Sequence, residues 1–132
     1  MRAKLSVLRA CRRALRPGGR ISFYTIFTPP GLSEADYQRV ASLGDPPAVV
    51  SRVEQAALLR SAGFVDIEEV NVSEEFLRTA RGWYEARQRH ASEMRKLEGD
   101  AEFAQNQAWR KRRLPAIEAG LLRRSLFVAL RR

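Results

Sequence analysis

The sequence predicts an α/β fold with about three strands, flanking helices and a helical insertion before the last strand. Three observations predict it. A basic amphipathic helix is joined by Pro-Gly-Gly to an apolar strand, a second helix closes at a glycine that leads into another strand, and a short apolar run lies between arginines near the end. The chain has 132 residues, which is enough for one domain with a hydrophobic core.

The first helix is predicted by an apolar stripe at spacings of three and four residues, formed by Leu5, Leu8, Cys11 and Leu15. Arginine and lysine occupy most of the other positions. Pro17 cannot continue the helix, and the two glycines that follow permit a tight reversal of the chain. The helix is therefore predicted to end at this corner.

The strand after the corner covers residues 21–27 and has no plainly polar face, which predicts a strand covered on both sides, as in parallel sheets. One face carries Ile21, Phe23, Thr25 and Phe27, and the other carries Ser22, Tyr24 and Ile26. In a doubly wound α/β domain such a strand comes late, yet only one helix precedes it here. The order of elements predicts that the chain is the back half of a larger fold.

The middle of the chain predicts two helices and a strand. Ser33, followed by acidic residues, is typical of an N-cap, and this helix should run to about Leu43. Ser51 with Glu54 has the spacing of a capping box and predicts a helix that ends at Gly63. Residues 64–72 alternate imperfectly, which predicts a half-exposed strand with a bulge at 68–69.

The last third predicts two long helices and a closing strand. Helical periodicity runs from Ser73 to about Leu97 and resumes at about Ala101, where Pro115 should kink the helix or start a new turn. Residues 125–130 form a short apolar strand with charged ends. Residues 74–122 are thus predicted to be a helical insertion between the last two strands.

Composition excludes several classes of protein. One cysteine, Cys11, excludes disulfides and cysteine-rich metal sites within one chain and favours a reducing, cytoplasmic setting. No apolar stretch approaches the roughly 20 residues that span a bilayer, so no membrane partner is expected. The only histidine, His90, follows two nearby arginines and is predicted to be a surface residue rather than a catalytic or metal-binding one.

The net charge of +9 raises the question of a nucleic-acid partner. The excess is uneven, because the first twenty residues hold seven basic and no acidic residues, whereas residues 21–73 are net acidic. The densest basic run, residues 110–113, fits phosphate contacts or a solvated helix face, and no aromatic stacking pattern is interleaved with it. A nucleic-acid partner is not favoured.

Three segments of the chain resemble a known family. The segment Leu-Arg-Pro-Gly-Gly-Arg at residues 15–20, before a buried strand, resembles the segment preceding the fifth strand of class I S-adenosylmethionine-dependent methyltransferases. Residues 58–67, with Ala62-Gly63-Phe64, resemble the approach to the sixth strand, and residues 120–130 resemble the closing strand. The helical insertion is similar to that of the small-molecule branch. The resemblance implies the C-terminal half of a Rossmann-like methyltransferase fold, with the last strand antiparallel between the other two.

The resemblance also implies what this half lacks. Family members bind S-adenosylmethionine through a glycine-rich loop after the first strand and an acidic residue after the second, and no Gly-x-Gly pair occurs here. Residues 1–132 are therefore expected to be a single partial, truncated domain that lacks the cofactor-binding half and neither binds the cofactor nor catalyses methyl transfer alone. Its first strand should expose an apolar edge, which self-association or the missing half would cover.

The resemblance indicates no catalytic, cofactor-binding or metal-binding residue in this chain. Tyr24 and Thr25 lie near the carboxyl end of a strand, where ligands of α/β sheets collect, and Trp83 and Tyr84 lie in the insertion, which often covers the acceptor. These four are the candidate substrate-binding residues, and core packing is the competing interpretation for each. The alternative function is a basic, non-enzymatic module that binds nucleic acid or a protein partner.

Overall fold

A computed structural model describes residues 2–132, except the side chain of Ala48. It contains an α/β arrangement of three strands and seven helices within those residues. The strands are β1 (Arg20–Phe27), β2 (Phe64–Asn71) and β3 (Arg123–Arg131). The helices are α1 (Arg2–Ala14), α2 (Glu34–Ala41), α3 (Pro47–Val50), α4 (Gln55–Ser61), α5 (Ser73–Arg89), α6 (Ala91–Glu98) and α7 (Asp100–Glu118).

The three strands form one sheet in the order β1-β3-β2. β3 is antiparallel to both neighbours, with Phe23 opposite Phe127 and Val70 opposite Leu126. β1 and β2 therefore run parallel to each other, and the prediction of about three strands with the last one antiparallel is confirmed. Within residues 2–132 no strand pairs with the outer edge of β1.

One face of the sheet carries a hydrophobic core under α1 and α4. Phe127, at the centre of β3, is 1% exposed and lies between Phe23 and Phe27, with ring centroids 5.8 and 5.9 Å away. We call this cluster the sheet core; its buried members are Leu8, Phe27, Leu58, Leu59, Ala62, Phe64, Phe127 and Ala129. The apolar stripe predicted for α1 faces this core, and Cys11 is half-buried beside it.

The second face is covered only at one end of β1. Ser22 is exposed and the Tyr24 side chain is 56% exposed, whereas Ile26 packs against a second cluster. The prediction of a strand covered on both sides is therefore wrong for the first part of β1, because the helices on this face reach only the end of the sheet. Val70, on the same face of β2, is also exposed.

The second cluster, which we call the insertion core, joins α2, α5, α7 and the segment before β3. Its buried members are Val40, Leu43, Phe76, Ala116, Ile117, Leu121 and Leu122. α5, α6 and α7 lie between β2 and β3, in the segment predicted to be a helical insertion. Arg87, on α5, binds these helices together, since its guanidinium lies 2.7 Å from a Glu98 carboxylate oxygen and donates to Gln107 at 3.0 Å.

The caps differ from the predictions in one of two cases. Ser33 caps α2, accepting a hydrogen bond from the Asp36 amide at 3.1 Å, although the helix ends at Ala41 rather than Leu43. The capping box at Ser51 is wrong. Ser51 instead follows the one-turn helix α3, and α4 begins at Gln55. α3 begins at Pro47, because proline is favoured at the first position of a helix.

Three boundaries in the last half also differ. The irregularity in β2 falls between Val65 and Glu68, where Asp66 has a φ of 48°, and not at 68–69. The helix predicted from Ser73 to Leu97 is two helices, divided at His90. α7 continues through Pro115 to Glu118. The proline is exposed, so the carbonyl that loses its amide partner can bond to water.

Candidate functional site

An open groove lies where β1 ends, between β1 and the start of α1. Its volume is about 740 Å³, and its floor is mostly apolar. The lining residues are Ala3, Lys4, Val7, Tyr24, Thr25, Ile26, Val49 and Arg124. The carboxyl ends of strands are the usual place for ligands in α/β sheets, so this groove is the first candidate site.

Lys4 supplies the polar group at the base of the groove. Its Nζ donates to the Thr25 Oγ1 at 3.1 Å and to the buried side-chain oxygen of Gln55. Burial lowers the pKa of Lys4 from its ordinary value of 10.5. No carboxylate among residues 2–132 lies within ion-pair distance of this ammonium group, whose partners are both neutral oxygens.

Tyr24 and Arg124 form the outer rim of the groove. The Arg124 guanidinium lies over the Tyr24 ring, 4.8 Å from its centroid, in cation–π geometry. Arg124 comes from β3, opposite Ile26 in the register. The positive charge at the rim of the groove therefore belongs to the antiparallel closing strand β3 and not to β1.

A second, smaller cavity of about 150 Å³ lies between α5 and α7. It is lined by Phe76, Thr79, Ala80, Trp83, Arg110, Arg113 and Arg124. Arg124 borders both cavities, so the small cavity adjoins the groove. Trp83 forms one wall and is 58% exposed, which is unusual for a tryptophan that only packs a core.

Arg113 lines the small cavity and has a largely buried side chain. Its Nε lies 3.1 Å from an Asp45 oxygen, and the two side chains are 11% and 2% exposed. Burial raises the pKa of Asp45 from its ordinary value of 3.8, and the charge of Arg113 offsets part of that rise. This pair joins α7 to the loop after α2.

The structure brings three of the four predicted substrate-binding residues to the two cavities. Tyr24 and Thr25 line the groove, and Trp83 lines the small cavity. Tyr84 lines neither cavity. Its backbone carbonyl accepts a hydrogen bond from Gln107, which places its main chain in the polar contacts between α5 and α7.

Sequence reasoning missed Lys4, Gln55, Arg124 and the inward-facing arginines of α7. Residues 110–113 read as one basic run, but Lys111 and Arg112 are exposed whereas Arg110 and Arg113 line the cavity. Their spacing of three residues, which places both on one face of a helix, was the available signal.

His90 is an exposed residue, and its Nδ1 lies 3.6 Å from a carboxylate oxygen of Glu93.

Metal-binding clusters and membrane-spanning helices are both absent from the described residues. Between residues 2 and 132 the structure has no cluster of three or more side chains suited to hold a metal ion. No helix in that part of the chain is both long and apolar enough to cross a bilayer.

The residues of the groove do not fit S-adenosylmethionine by themselves. Ribose hydroxyls are held by a carboxylate and the charged sulfonium avoids cations, yet the groove lining contains Lys4 and Arg124 and no acidic side chain. The groove lining therefore lacks the acidic contact that holds the cofactor's ribose.

The chain matches no protein-family model, and no curated protein matches it in sequence. Solved structures do match. One is phosphoethanolamine N-methyltransferase 2 of Haemonchus contortus, solved with phosphomonomethylethanolamine and S-adenosylhomocysteine, at 19% identity and a TM-score of 0.75, covering 96% of this chain and 30% of that one.

Two further structures extend the match. A protein of Galdieria sulphuraria described as a sarcosine dimethylglycine methyltransferase has a TM-score of 0.79 at 15% identity, covering 96% of this chain and 47% of that one. A cyclopropane synthase of Mycobacterium tuberculosis has a TM-score of 0.76 at 14% identity, covering 96% and 49%. The chain spans less than half of each of these structures, and the expected resemblance is confirmed at the level of the fold. The chain has the fold of the C-terminal part of S-adenosylmethionine-dependent methyltransferases.

Proposed function

We propose that this chain is the acceptor-binding, C-terminal part of a methyltransferase that acts on a small molecule and uses S-adenosylmethionine. The observation that carries the proposal is the sheet order β1-β3-β2 with its groove at the end of β1, in a fold matched over 96% of the chain. In this function the chain binds and orients the acceptor, which is the main demand of a transfer that depends on alignment.

The cofactor half is proposed to come from a separate or preceding polypeptide. The outer edge of β1 is unpaired within the described residues, and exposed apolar side chains lie near it on α1 and β1, including Val7 and Tyr24. Such an edge invites a further strand. We expect the isolated chain to be inactive. We also expect the protein to be located in the cytoplasm, where the free thiol of Cys11 remains reduced.

The test combines the chain with the polypeptide that is proposed to bind the cofactor. The nucleotide sequence before the Met1 codon is read for a glycine-rich loop, and the encoded polypeptide is co-expressed with the chain. S-adenosylhomocysteine binding is measured by calorimetry, and methyl transfer from labelled S-adenosylmethionine is measured on a set of small amines and acids. Binding and transfer by the pair, but not by the chain alone, support the proposal.

Matched variants locate the contact. Val7→Glu places a charge at the groove rim, whereas Leu97→Glu places one on α6, and both side chains are already exposed. We expect Val7→Glu to abolish co-purification with the upstream polypeptide and Leu97→Glu to leave it intact. Self-association of the chain with no affinity for the upstream polypeptide would contradict it, as would salt-steep binding of duplex DNA, which is the signature of a basic module.

A further inference from the structure

The small cavity between α5 and α7 concentrates positive charge without matching negative charge. Arg113 has its partner in Asp45, and nearby Arg87 has its partner in Glu98. Arg110 and Arg124 also line the cavity, and no carboxylate of residues 2–132 lies within ion-pair distance of either guanidinium. Two half-buried positive charges therefore face a common space without a counter-ion from the described chain.

One donor on an arginine that lines this space has no acceptor. The Arg110 Nε is buried and makes no hydrogen bond. The Arg113 Nε, by contrast, lies 3.1 Å from an Asp45 carboxylate oxygen. Buried donors normally have partners, so unpaired ones mark a place where a ligand can supply the acceptor. Burial, followed by the charges of Arg87 and Arg113, lowers the pKa of Arg110, and the charge of Glu98 offsets part of that fall.

The shape of the cavity limits what it can take. A volume of about 150 Å³ is smaller than the roughly 300 Å³ at which pockets for whole drug-sized ligands begin. Trp83 offers a flat apolar wall on one side, and the Arg110 guanidinium lies 5.7 Å from its ring centroid. The cavity suits one small anionic group with a short apolar stem.

The small cavity and the groove share a lining residue. Arg124 lines both, so a group held beside Arg124 and Arg110 lies next to the groove at the end of β1. We propose that the cavity lined by Arg110, Arg113, Arg124 and Trp83 is an anion subsite that binds the phosphate or carboxylate of the acceptor, while the rest of the acceptor lies in the groove. The inference rests on the proposed function for the identity of the ligand, but not for the anion site itself.

A recessed subsite differs from a nucleic-acid surface. Contacts to a duplex use exposed cations along a stripe, whereas Arg110 and Arg113 face inward and the exposed Lys111 and Arg112 face away from the cavity. Guanidinium groups bind phosphate and carboxylate in two-pronged geometry, which suits a single small oxyanion.

The 132-residue chain is titrated with inorganic phosphate, with acetate and with chloride at matched ionic strength. Binding is followed by tryptophan fluorescence, since Trp83 and Trp109 both lie beside the arginines, and by calorimetry. We expect saturable binding of phosphate or acetate but not chloride. The stronger of the two identifies the acceptor's group as a phosphate or a carboxylate.

Variants assign the site. Arg110→Gln should weaken binding by about tenfold or more because it removes a charge-assisted hydrogen bond. Arg110→Lys should retain part of the affinity, and Arg112→Gln, on the exposed side of the same helix, should leave it unchanged. Circular dichroism verifies that each variant is folded. Equal weakening by the variants at 110 and 112, or no saturable binding of either oxyanion, would overturn the proposal.

The two proposals can fail separately. Oxyanion binding by the chain with no methyl transfer by the completed domain would retain the subsite and reject the proposed function. Methyl transfer to neutral acceptors only, with no oxyanion binding, would do the reverse.

Discussion

The sheet core and the insertion core are built from similar apolar side chains, but their surroundings differ. The sheet core is enclosed by α1, α4 and the sheet, and its buried members are all apolar. The insertion core is bordered by the arginines of α7 and β3 and leaves a cavity beside Trp83. The first arrangement fixes the strands, whereas the second holds charge next to an open space. Under the proposed function, this contrast is the reason we expect binding specificity to depend on the insertion.

The largest effect is expected from Phe127→Ala. Removing this ring from the sheet core should lower the free energy of unfolding by about 3–5 kcal/mol, because the cavity cannot collapse around a rigid sheet. Urea unfolding followed by circular dichroism measures it.

Phe103→Ala is the matched variant in the insertion, where Phe103 is also buried but lies under Arg87 and Arg95. Hydrogen exchange should then show β3 amides losing protection in the Phe127 variant and keeping it in the Phe103 variant. Equal loss in both would mean that the sheet core and the helices of the insertion unfold as one unit, and the comparison would fail.

The next effect concerns the ion pair of the insertion. Hydrogen bonds from Arg87 and from Asn106 lower the pKa of Glu98 from its ordinary value of 4.5. The unfolded chain therefore binds the proton more tightly, so the stability that Glu98 contributes is complete above about pH 4.5 and is lost as the pH falls through the folded-state pKa.

Glu98→Gln should destabilise the protein at neutral pH and flatten this acid dependence. Thermal unfolding between acid and neutral pH compares the variant with the unchanged chain. Parallel pH profiles for the two would show that the pair does not hold the insertion together.

A smaller effect is expected from Gly63→Ala, at the entrance to β2. Gly63 has a φ of +91°, and an added Cβ would lie 2.8 Å from the Arg12 Nε, which donates to the Gly63 carbonyl at 2.9 Å. The variant should lose about 1–3 kcal/mol of unfolding free energy. A neutral result in chemical denaturation would show that this turn is adaptable.

The smallest effect, of opposite sign, is expected from Gly82→Ala on α5. An added Cβ meets nothing within 4 Å there. The substitution should therefore stabilise the helix by about 0.5–1 kcal/mol, since alanine loses less backbone entropy than glycine. Loss of stability in the same denaturation assay would mean that α5 is constrained at a point where the structure shows open space.

Local chemistry predicted much of the fold, because its signals lie within a few residues of one another. The Pro17 corner, the Ser33 cap and the glycine before Phe64 each act over one turn, and all three lie at the predicted places. The prediction at Ser51 failed because it used only the spacing of a capping box, whereas α4 begins at Gln55, whose side chain accepts a hydrogen bond from Lys4, 51 residues earlier in the chain.

Fewer residues of the candidate site could be predicted, because several of its contacts join segments that are distant in the sequence. Strand-end logic predicted Tyr24 and Thr25, and the aromatic character of the insertion predicted Trp83. Arg124 could not be singled out, because its role arises only when β3 enters between the other strands and carries it over Tyr24. Contacts between distant segments leave no mark in local periodicity.

The central place of β3 has a consequence for synthesis on the ribosome. Among the described residues β1 and β2 do not pair with each other, and each pairs with β3, so this three-stranded arrangement cannot form until residues 123–131 leave the exit tunnel. Arg131 then closes the arrangement, since its guanidinium bonds to the carbonyls of Arg12 and Leu15, more than a hundred residues earlier. The pairing of the three strands therefore joins segments that are distant in the sequence, and we expect it to be a late and slow step of folding.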